Sequence, residues 1–144
     1  RLFMKYSTRL SDAVHILVFI QQSNRTTISS SDIAVSIQTN PSYVRQIMVQ
    51  LKAAGLLISS RGQATPELTK LPQNITLLEI YKAVEKDKPL LHLDTHTNPE
   101  CGVGVNIQLA LADYYKQIQK DSENSMQKIT LQNIIDSYLQ RMSQ

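Results

Sequence analysis

The sequence has little cysteine and glycine and no tryptophan: one Cys and four Gly occur among its 144 residues. A single cysteine, Cys101, excludes an intrachain disulfide and agrees with a reducing compartment. No stretch approaches the roughly 18 apolar residues that a membrane span requires, and the N-terminus lacks the order of segments found in a signal sequence. We therefore expect a cytoplasmic protein that folds without disulfides.

Motifs of enzyme active sites are also missing. The chain has neither a glycine-rich loop that could hold phosphates nor the turn that exposes a nucleophilic serine. His92, His96 and Cys101 are near each other in sequence, but their spacing matches no strong zinc signature. We expect no catalysis, no bound metal and no cofactor.

Charge is distributed unevenly along the chain, although the total is only +3. Residues 1–72 carry eight Lys or Arg against three Asp or Glu, a net charge of +5. Residues 73–144 carry seven against nine, a net charge of −2. Because Lys and Arg neutralise DNA phosphates, we expect the first half to face nucleic acid.

Hydrophobic spacing and capping residues predict six helices. Three starts share one pattern: an isoleucine, a hydroxyl residue that can cap the helix, and a second isoleucine four residues beyond the cap. Thr76 and Glu79 also have capping-box spacing. The predicted helices span about residues 11–22, 30–38, 41–54, 77–86, 105–120 and 131–141, and the patterns are Ile28-Ser29-Ile33, Ile75-Thr76-Ile80 and Ile129-Thr130-Ile134.

A tight polar turn joins the second and third predicted helices. Asn40 can cap the third helix, Pro41 suits its first position, and Gly55 suits a left-handed C-terminal cap. A weak hairpin follows, from strands within residues 56–58 and 64–69. Pro66 cannot donate a ladder hydrogen bond, so the return strand should be short or lie at an edge.

The predicted fold is therefore mainly α with a small β-hairpin: a winged helix-turn-helix followed by a long helix. We expect a DNA-binding domain over residues 4–74 and a helical dimerisation or effector region over 75–144. The long helix carries an apolar stripe. It consists of Ile107, Leu111, Tyr114 and Ile118, and we expect Leu109 and Tyr115 to widen it.

The outer face of the third helix carries residues suited to reading DNA. A guanidinium can pair with guanine or phosphate, an amide with adenine, and a branched apolar group with a thymine methyl. Two further side chains at its margins suit phosphate, and two at the hairpin tip suit a backbone or minor groove. These candidates are Ser42, Arg45, Gln46, Val49 and Gln50 on the outer face, Tyr43 and Lys52 at the margins, and Arg61 and Gln63 at the tip.

The order and spacing of these motifs resemble the Rrf (type two) family of bacterial winged-helix regulators over nearly all of residues 4–141. The resemblance implies a homodimeric transcriptional regulator, usually a repressor, whose long helix pairs with that of its partner on a pseudopalindromic DNA site. The motifs are Ser11-Asp12-Ala13-Val14-His15-Ile16-Leu17, Asn40-Pro41-Ser42-Tyr43-Val44-Arg45, Gly55-Leu56-Leu57, Ser60-Arg61-Gly62, and Ile75-Thr76-Leu77-Leu78-Glu79-Ile80-Tyr81-Lys82-Ala83-Val84-Glu85.

Two features depart from the family pattern. Many members have a glycine-rich wing that ends in tyrosine, where this chain has Gln63-Ala64-Thr65-Pro66-Glu67. The branches that sense through an iron–sulfur cluster use three cysteines before the long helix, where this chain has only Cys101. The sequence therefore resembles the branch without cluster cysteines.

Two other functions remain open at this point. A winged helix can bind protein instead of DNA, and a salt-dependent gel shift on an inverted repeat separates the two. Cys101 could act as a redox sensor, since amide groups at a helix start stabilise a thiolate. The expected partners are double-stranded DNA and a second copy of the chain, with a small-molecule or redox effector left open.

Overall fold

The computed structural model describes residues 6–59 and 65–144. In that part of the chain it is mainly α with a small hairpin, which confirms the predicted fold class. No helix in these two ranges is long and apolar enough to cross a membrane. The helices are α1 (Arg9–Gln22), α2 (Ser30–Ile37), α3 (Pro41–Ala53), α4 (Leu77–Glu85), α5 (Gly102–Gln127) and α6 (Leu131–Met142), the strands are β1 (Leu57–Ile58) and β2 (Glu67–Leu68), and a 3₁₀ turn covers Pro72–Asn74.

Three helix starts use the capping chemistry that the sequence predicts. Ser29, Thr76 and Thr130 cap α2, α4 and α6, and each hydroxyl accepts a hydrogen bond from the backbone N–H three residues later. The side chain of that later residue accepts a hydrogen bond from the cap residue's own N–H in return. All three starts are therefore complete capping boxes, where the sequence indicated only the one at Thr76.

Helix α3 begins and ends as predicted. The Asn40 side chain accepts a hydrogen bond of 2.8 Å from the Tyr43 N–H, and Pro41 is the first helical residue. At the other end Gly55 has φ 76°, and the Leu56 N–H donates to the Leu51 carbonyl at 3.0 Å. This left-handed C-terminal cap satisfies carbonyls that the helix itself leaves unpaired.

One hydrophobic cluster joins α1, α2, α3, α4 and α6. The cluster therefore contains residues from both predicted regions, 4–74 and 75–144. Burial of these side chains removes apolar surface from water and fixes α4 and α6 against the N-terminal helices. Its fully buried members include Ile16 and Leu17 of α1, Ile33 of α2, Ile47 and Leu51 of α3, Ile80 of α4, and Leu131 of α6.

The segments that precede α4 and α6 pair with each other. The Leu77 N–H donates to the Ile129 carbonyl and the Leu131 N–H donates to the Ile75 carbonyl, each at 2.8 Å. Thr76 and Thr130 form the antiparallel bridge between them. Two of the three similar capping patterns in the sequence thus lie side by side and hold the starts of α4 and α6 together.

Helix α5 is longer than predicted at both ends: it covers Gly102–Gln127 where the sequence indicated 105–120. Residues 121–127 are almost entirely polar, so they carry no apolar periodicity from which a helix could be recognised. Helical geometry also places Leu109 about 200° around the axis from Ile107. The prediction that Leu109 widens the Ile107 stripe is therefore wrong, because the two side chains leave opposite sides of α5.

The hairpin is as short as Pro66 suggested. Leu57 pairs with Leu68 and Ile58 with Glu67, so each strand has two residues. Pro66 is buried and directly precedes the return strand, where its missing N–H removes no ladder hydrogen bond.

Candidate nucleic-acid interface

Helix α3 has one buried side and one solvent-facing side. Val44, Ile47 and Leu51 are fully buried against the other helices. Val49 is 61% exposed, although it is apolar. An exposed branched side chain within a polar face suits contact with a thymine methyl group. The predicted DNA-reading residues that are exposed are Ser42, Arg45, Gln46, Val49 and Lys52.

Arg45 is held by the helix that precedes it. Its Nη1 donates to Ser30 Oγ at 3.2 Å, and Ser30 is the first residue of α2. The ion pairs among the described residues join other side chains and include neither Arg45 nor Lys52. Two cations on this side of α3 are thus without a carboxylate partner in the described ranges, which favours contact with phosphate or guanine.

Tyr43 and Gln50 turn toward α1 instead of the outer face. The Tyr43 hydroxyl donates to Asp12 Oδ2 at 2.7 Å, and the Gln50 amide oxygen accepts a hydrogen bond from the Arg9 guanidinium. Burial, and then the hydrogen bond to Asp12, raise the pKa of Tyr43 above its ordinary value. The Tyr43 hydroxyl therefore stays protonated at neutral pH and remains a donor.

Arg9 and Asp12 are the side chains at this interface that sequence reasoning missed. Arg9 is 41 positions from Gln50, and Asp12 is 31 positions from Tyr43, so no local spacing connects them. One signal was present. Arg9 is the first residue of α1, where the helix dipole disfavours a cation, so a compensating contact is expected there.

The predicted wing-tip residues, Arg61 and Gln63, lie outside the described residues. The base of the hairpin is described: one hydrogen bond attaches it to the loop before α2, and another joins its own two sides. Thr65 Oγ1 donates to the Thr26 carbonyl at 2.8 Å, and the Thr69 N–H donates to the Leu56 carbonyl at 3.2 Å. The hairpin therefore starts from a fixed position beside the loop before α2 and the end of α3.

Helix α5 contains no buried residue over its 26 positions. Ile107 is 51% exposed, Tyr114 65% and Ile118 45%, while Leu111 is half-buried. These four residues lie within one stripe along the helix axis. An apolar stripe that a single chain leaves in water is typical of a protein interface.

Cys101 is exposed and is the N-cap residue of α5, so it lies at a helix start as predicted. His92 and His96 lie in the preceding loop, and the His96 N–H donates to Asp94 Oδ1 at 2.8 Å. Within residues 6–59 and 65–144, no three His, Cys, Asp or Glu side chains are placed to hold a metal together.

The two short helices α2 and α3, the tight turn between them, the exposed face of α3 and the hairpin that follows define a winged helix-turn-helix DNA-binding protein. The profile of the Rrf2 family, described as "Iron-dependent Transcriptional regulator", matches residues 6–137. The chain belongs to this family of transcriptional regulators, which confirms the resemblance found in its motifs.

Relatives and solved structures agree with this assignment. YwnA of Bacillus subtilis (strain 168), named as an HTH-type transcriptional regulator, is 38% identical over 130 residues, which are 90% of this chain and 96% of YwnA. A crystal structure of a protein described as DNA-binding has 36% sequence identity and a TM-score of 0.70, and covers 88% of this chain and 98% of that one.

A more distant structure shows the same fold. CymR of B. subtilis, named the global cysteine regulator, has 20% identity and a TM-score of 0.65, and covers 93% of this chain and 98% of its own. At that identity the similarity concerns the fold alone.

The iron dependence in the family description does not fit the residues of this chain. Cluster binding by thiolates requires several cysteines, and Cys101 is the single cysteine of the sequence. It is exposed, and no group of three metal-ligating side chains surrounds it in the described ranges. We therefore assign no role to iron here.

Proposed function

We propose that the chain is a homodimeric repressor that binds a pseudopalindromic operator with two copies of α3. The observation that carries this proposal is the outer face of α3, where Arg45, Gln46 and Val49 are exposed together. A guanidinium, an amide and a branched apolar side chain can read three kinds of base edge in the major groove. A two-fold axis would place the second α3 in a successive major groove.

Pairing of α5 with its copy is the proposed basis of the dimer. Its support is the exposed stripe that contains Ile107, Tyr114 and Ile118 on a helix with no buried residue. The division at residue 74 is then one of function: residues 4–74 bind DNA, and residues 75–144 supply dimerisation and any effector response. Both regions share one hydrophobic core, so a conformational change in residues 75–144 can alter the position of the DNA-binding helices.

The chain acts, in this proposal, by binding alone and catalyses no reaction. Its partners are double-stranded DNA and a second copy of itself, and the compartment that holds bacterial DNA is the cytoplasm. A repressor of this kind occupies its operator and blocks access of the transcription machinery.

Arg45→Ala tests the DNA-reading role. If Arg45 contacts a base edge, the variant should lose about 1 to 3 kcal/mol of operator affinity and should relax preference at one base position in each half-site. Fluorescence anisotropy on the operator and its single-base variants measures both effects. Lys52→Ala is the matched control, because loss of a phosphate contact weakens all sequences equally and lowers the salt dependence of binding by about one ion. An equal loss on all sequences for Arg45→Ala would assign Arg45 to phosphate as well.

The same titration separates DNA binding from protein binding. Operator affinity should fall steeply as salt rises, since bound protein releases counterions from DNA. Absence of a salt-dependent shift on any DNA bound by its relatives would favour a protein-binding module.

A second candidate is thiol control through Cys101, which is favoured by the exposure of this residue at the start of α5. Peroxide would then change operator affinity in the native chain and leave Cys101→Ser unchanged. An identical response of the two proteins would reject the redox role.

A further inference from the structure

Arg9 makes three different contacts with one guanidinium. Its Nε donates to the Val84 carbonyl of α4 at 3.3 Å, its Nη2 donates to the Gln50 amide oxygen of α3, and its Cζ lies 5.6 Å from the centre of the Tyr43 ring. The two hydrogen bonds use two different nitrogens of the planar group, and its central carbon lies over the Tyr43 ring. A lysine has one compact ammonium and cannot make these three contacts together.

Tyr43 and Gln50 lie on one side of α3, so these contacts act on the same side of that helix. The two residues are seven positions apart on α3, so they lie on the same side of the helix, two turns from each other. Arg9 and Asp12 are one turn apart on α1: Arg9 contacts both Tyr43 and Gln50, and Asp12 accepts a hydrogen bond from Tyr43. We call Arg9, Asp12, Tyr43 and Gln50 the polar seam between α1 and α3.

The seam adds a directional restraint on the rotation of α3 to that of its packed apolar side. Hydrogen bonds depend on direction as well as distance, so contacts at two points two turns apart on α3 favour one rotation of the helix. Arg45 and Val49 project from α3 at about 200° and 240° from Tyr43. A rotation of α3 about its axis would therefore displace the side chains that are proposed to read bases.

The other end of the seam is anchored as well. Val84 lies in the last turn of α4, where the helix leaves carbonyls unpaired and where the dipole favours a cation. The Ser7 hydroxyl donates to Glu85 Oε1 at 2.6 Å, one residue further along α4. Two contacts thus fix the N-terminal end of α1 to the C-terminal end of α4. Arg9 also bonds to Gln50, so it links both of these helix ends to α3.

We propose that Arg9 is a positioning residue for DNA recognition, which sets the rotation of α3 through Gln50 and Tyr43 without reading DNA itself. The proposal rests on the proposed function of α3 as the recognition helix. It assigns Gln50 to the seam, where its amide oxygen is occupied, in place of the base-reading role that the sequence suggested.

Arg9→Lys is the variant that tests the proposal, because it keeps the positive charge and removes the planar fork. Discrimination between the operator and its single-base variants should fall about tenfold, a size comparable to the loss of one correctly read base pair. Affinity for unrelated DNA and the slope of log K against log salt should not change, because the number of phosphate contacts is unchanged. Arg25→Lys is the matched control: Arg25 also lies over an aromatic ring, that of Phe19, and pairs with Asp32, and its hydrogen bonds and ion pairs within the described residues do not involve α3. It should keep wild-type discrimination.

Gln50→Ala provides a second route to the same seam and is needed if Arg9→Lys unfolds. It removes the acceptor on α3 and leaves the bond from Arg9 to Val84. The two changes should be non-additive, so that Arg9→Lys has little further effect on discrimination in the Gln50→Ala protein. NMR of the Gln50 side-chain amide in the free protein should show shifts of an ordered, hydrogen-bonded group in the wild type and shifts of a mobile, solvated glutamine in Arg9→Lys.

The outcomes separate this inference from the proposed function. Wild-type discrimination in Arg9→Lys, or additive effects of the two changes, would overturn the role of Arg9 while DNA binding by α3 stands. A uniform loss on all sequences with a smaller salt slope would make Arg9 a phosphate contact and would also overturn it. If the wild type itself binds no operator, the proposed function fails, and the inference fails with it.

Discussion

At the scale of single residues, Glu79 combines a helix cap with an ion pair. Its carboxylate accepts from the Thr76 N–H at 3.1 Å and from Lys70 Nζ at 2.7 Å. Burial by itself would raise the pKa of Glu79, but the hydrogen bonds from Lys70 and Thr76 outweigh it and hold the pKa below its ordinary value. A carboxyl group with a depressed folded pKa stabilises the fold above its unfolded pKa, and that contribution is lost as the pH falls through the folded pKa.

Glu79→Gln should therefore destabilise the protein in a pH-dependent way. At pH 7 we expect a loss of about 0.5 to 1 kcal/mol, because glutamine can keep the capping box but loses the ion pair and the favourable charge at the start of α4. The difference from the wild type should shrink as the pH falls below the ordinary carboxyl pKa. Urea unfolding at pH 7, 5 and 3 measures it, with Glu67→Gln on the exposed side of β2 as the control. A difference that stays constant over this range would contradict the depressed pKa.

Residues that act within a few positions of each other were predictable, and residues that meet across the fold were not. Asn40 and Gly55 could be assigned because a cap acts on backbone groups of the same helix end. Arg9 and Asp12 could not, because their partners on α3 are more than thirty positions away. The candidate interface was thus predicted as a set of outward-facing residues, while the contacts that hold it in place required the structure.

At the scale of elements, the turn between α2 and α3 ends in a conformation that its sequence does not suggest. Gln38 has φ 62°, and the Thr39 N–H donates to the Ala34 carbonyl at 3.0 Å, so α2 ends in the same left-handed cap that Gly55 forms on α3. A side chain with a Cβ is strained in this conformation, and glycine is not. The hydrogen bonds of this turn therefore offset the conformational strain of Gln38.

Gln38→Gly should stabilise the protein by about 0.5 to 1 kcal/mol, since relief of the strained conformation exceeds the added entropy of the unfolded chain. Gln38→Ala keeps the Cβ and should bring no gain. Gly55→Ala is the converse control: a Cβ at Gly55 would meet no atom within 4 Å, so any loss there reports backbone conformation alone. Urea midpoints of the three variants provide the measurement, and a Gln38→Gly protein less stable than Gln38→Ala would contradict the argument.

The extent of α5 shows why periodicity underestimates a helix that tertiary contacts complete. Residues 121–127 lack apolar spacing, but Glu123 lies 3.7 Å from Lys82 Nζ and accepts a hydrogen bond of 2.8 Å from Gln119. Gln119 also donates to the Tyr81 hydroxyl at 3.1 Å. Contacts with α4 therefore support this part of α5, and they depend on residues about 40 positions away, which no sequence window includes.

At the scale of the whole molecule, one core supports two exposed surfaces of different chemistry. The outer face of α3 is polar and cationic, and the stripe of α5 is apolar. Helix α5 is about 39 Å long and buries no side chain fully, so its packing within one chain is incomplete. In the proposed dimer a second copy would remove side chains such as Ile107 and Ile118 from water, which links the proposed spacing of two α3 helices to the pairing of α5.

The exposed members of the stripe permit a test that leaves the single chain intact. Ile107→Asp with Ile118→Asp should convert a dimer of about 33 kDa into a monomer of 16.3 kDa, because two charges per chain would be buried without partners at the interface. Sedimentation equilibrium measures the mass, and circular dichroism should show that the helices remain. We leave Leu111 unchanged because it is half-buried in its own chain.

Leu109→Asp is the matched control for this experiment, since Leu109 is 62% exposed on the opposite side of the same helix. It should sediment as a dimer and bind the full operator like the wild type. The monomeric variant should retain weak binding to a half-site and lose the added affinity for the inverted repeat, because one chain presents only one α3. If Leu109→Asp dissociates the dimer and the stripe variant does not, the interface lies on the other side of α5; if both remain dimers, α5 is not the dimerisation helix.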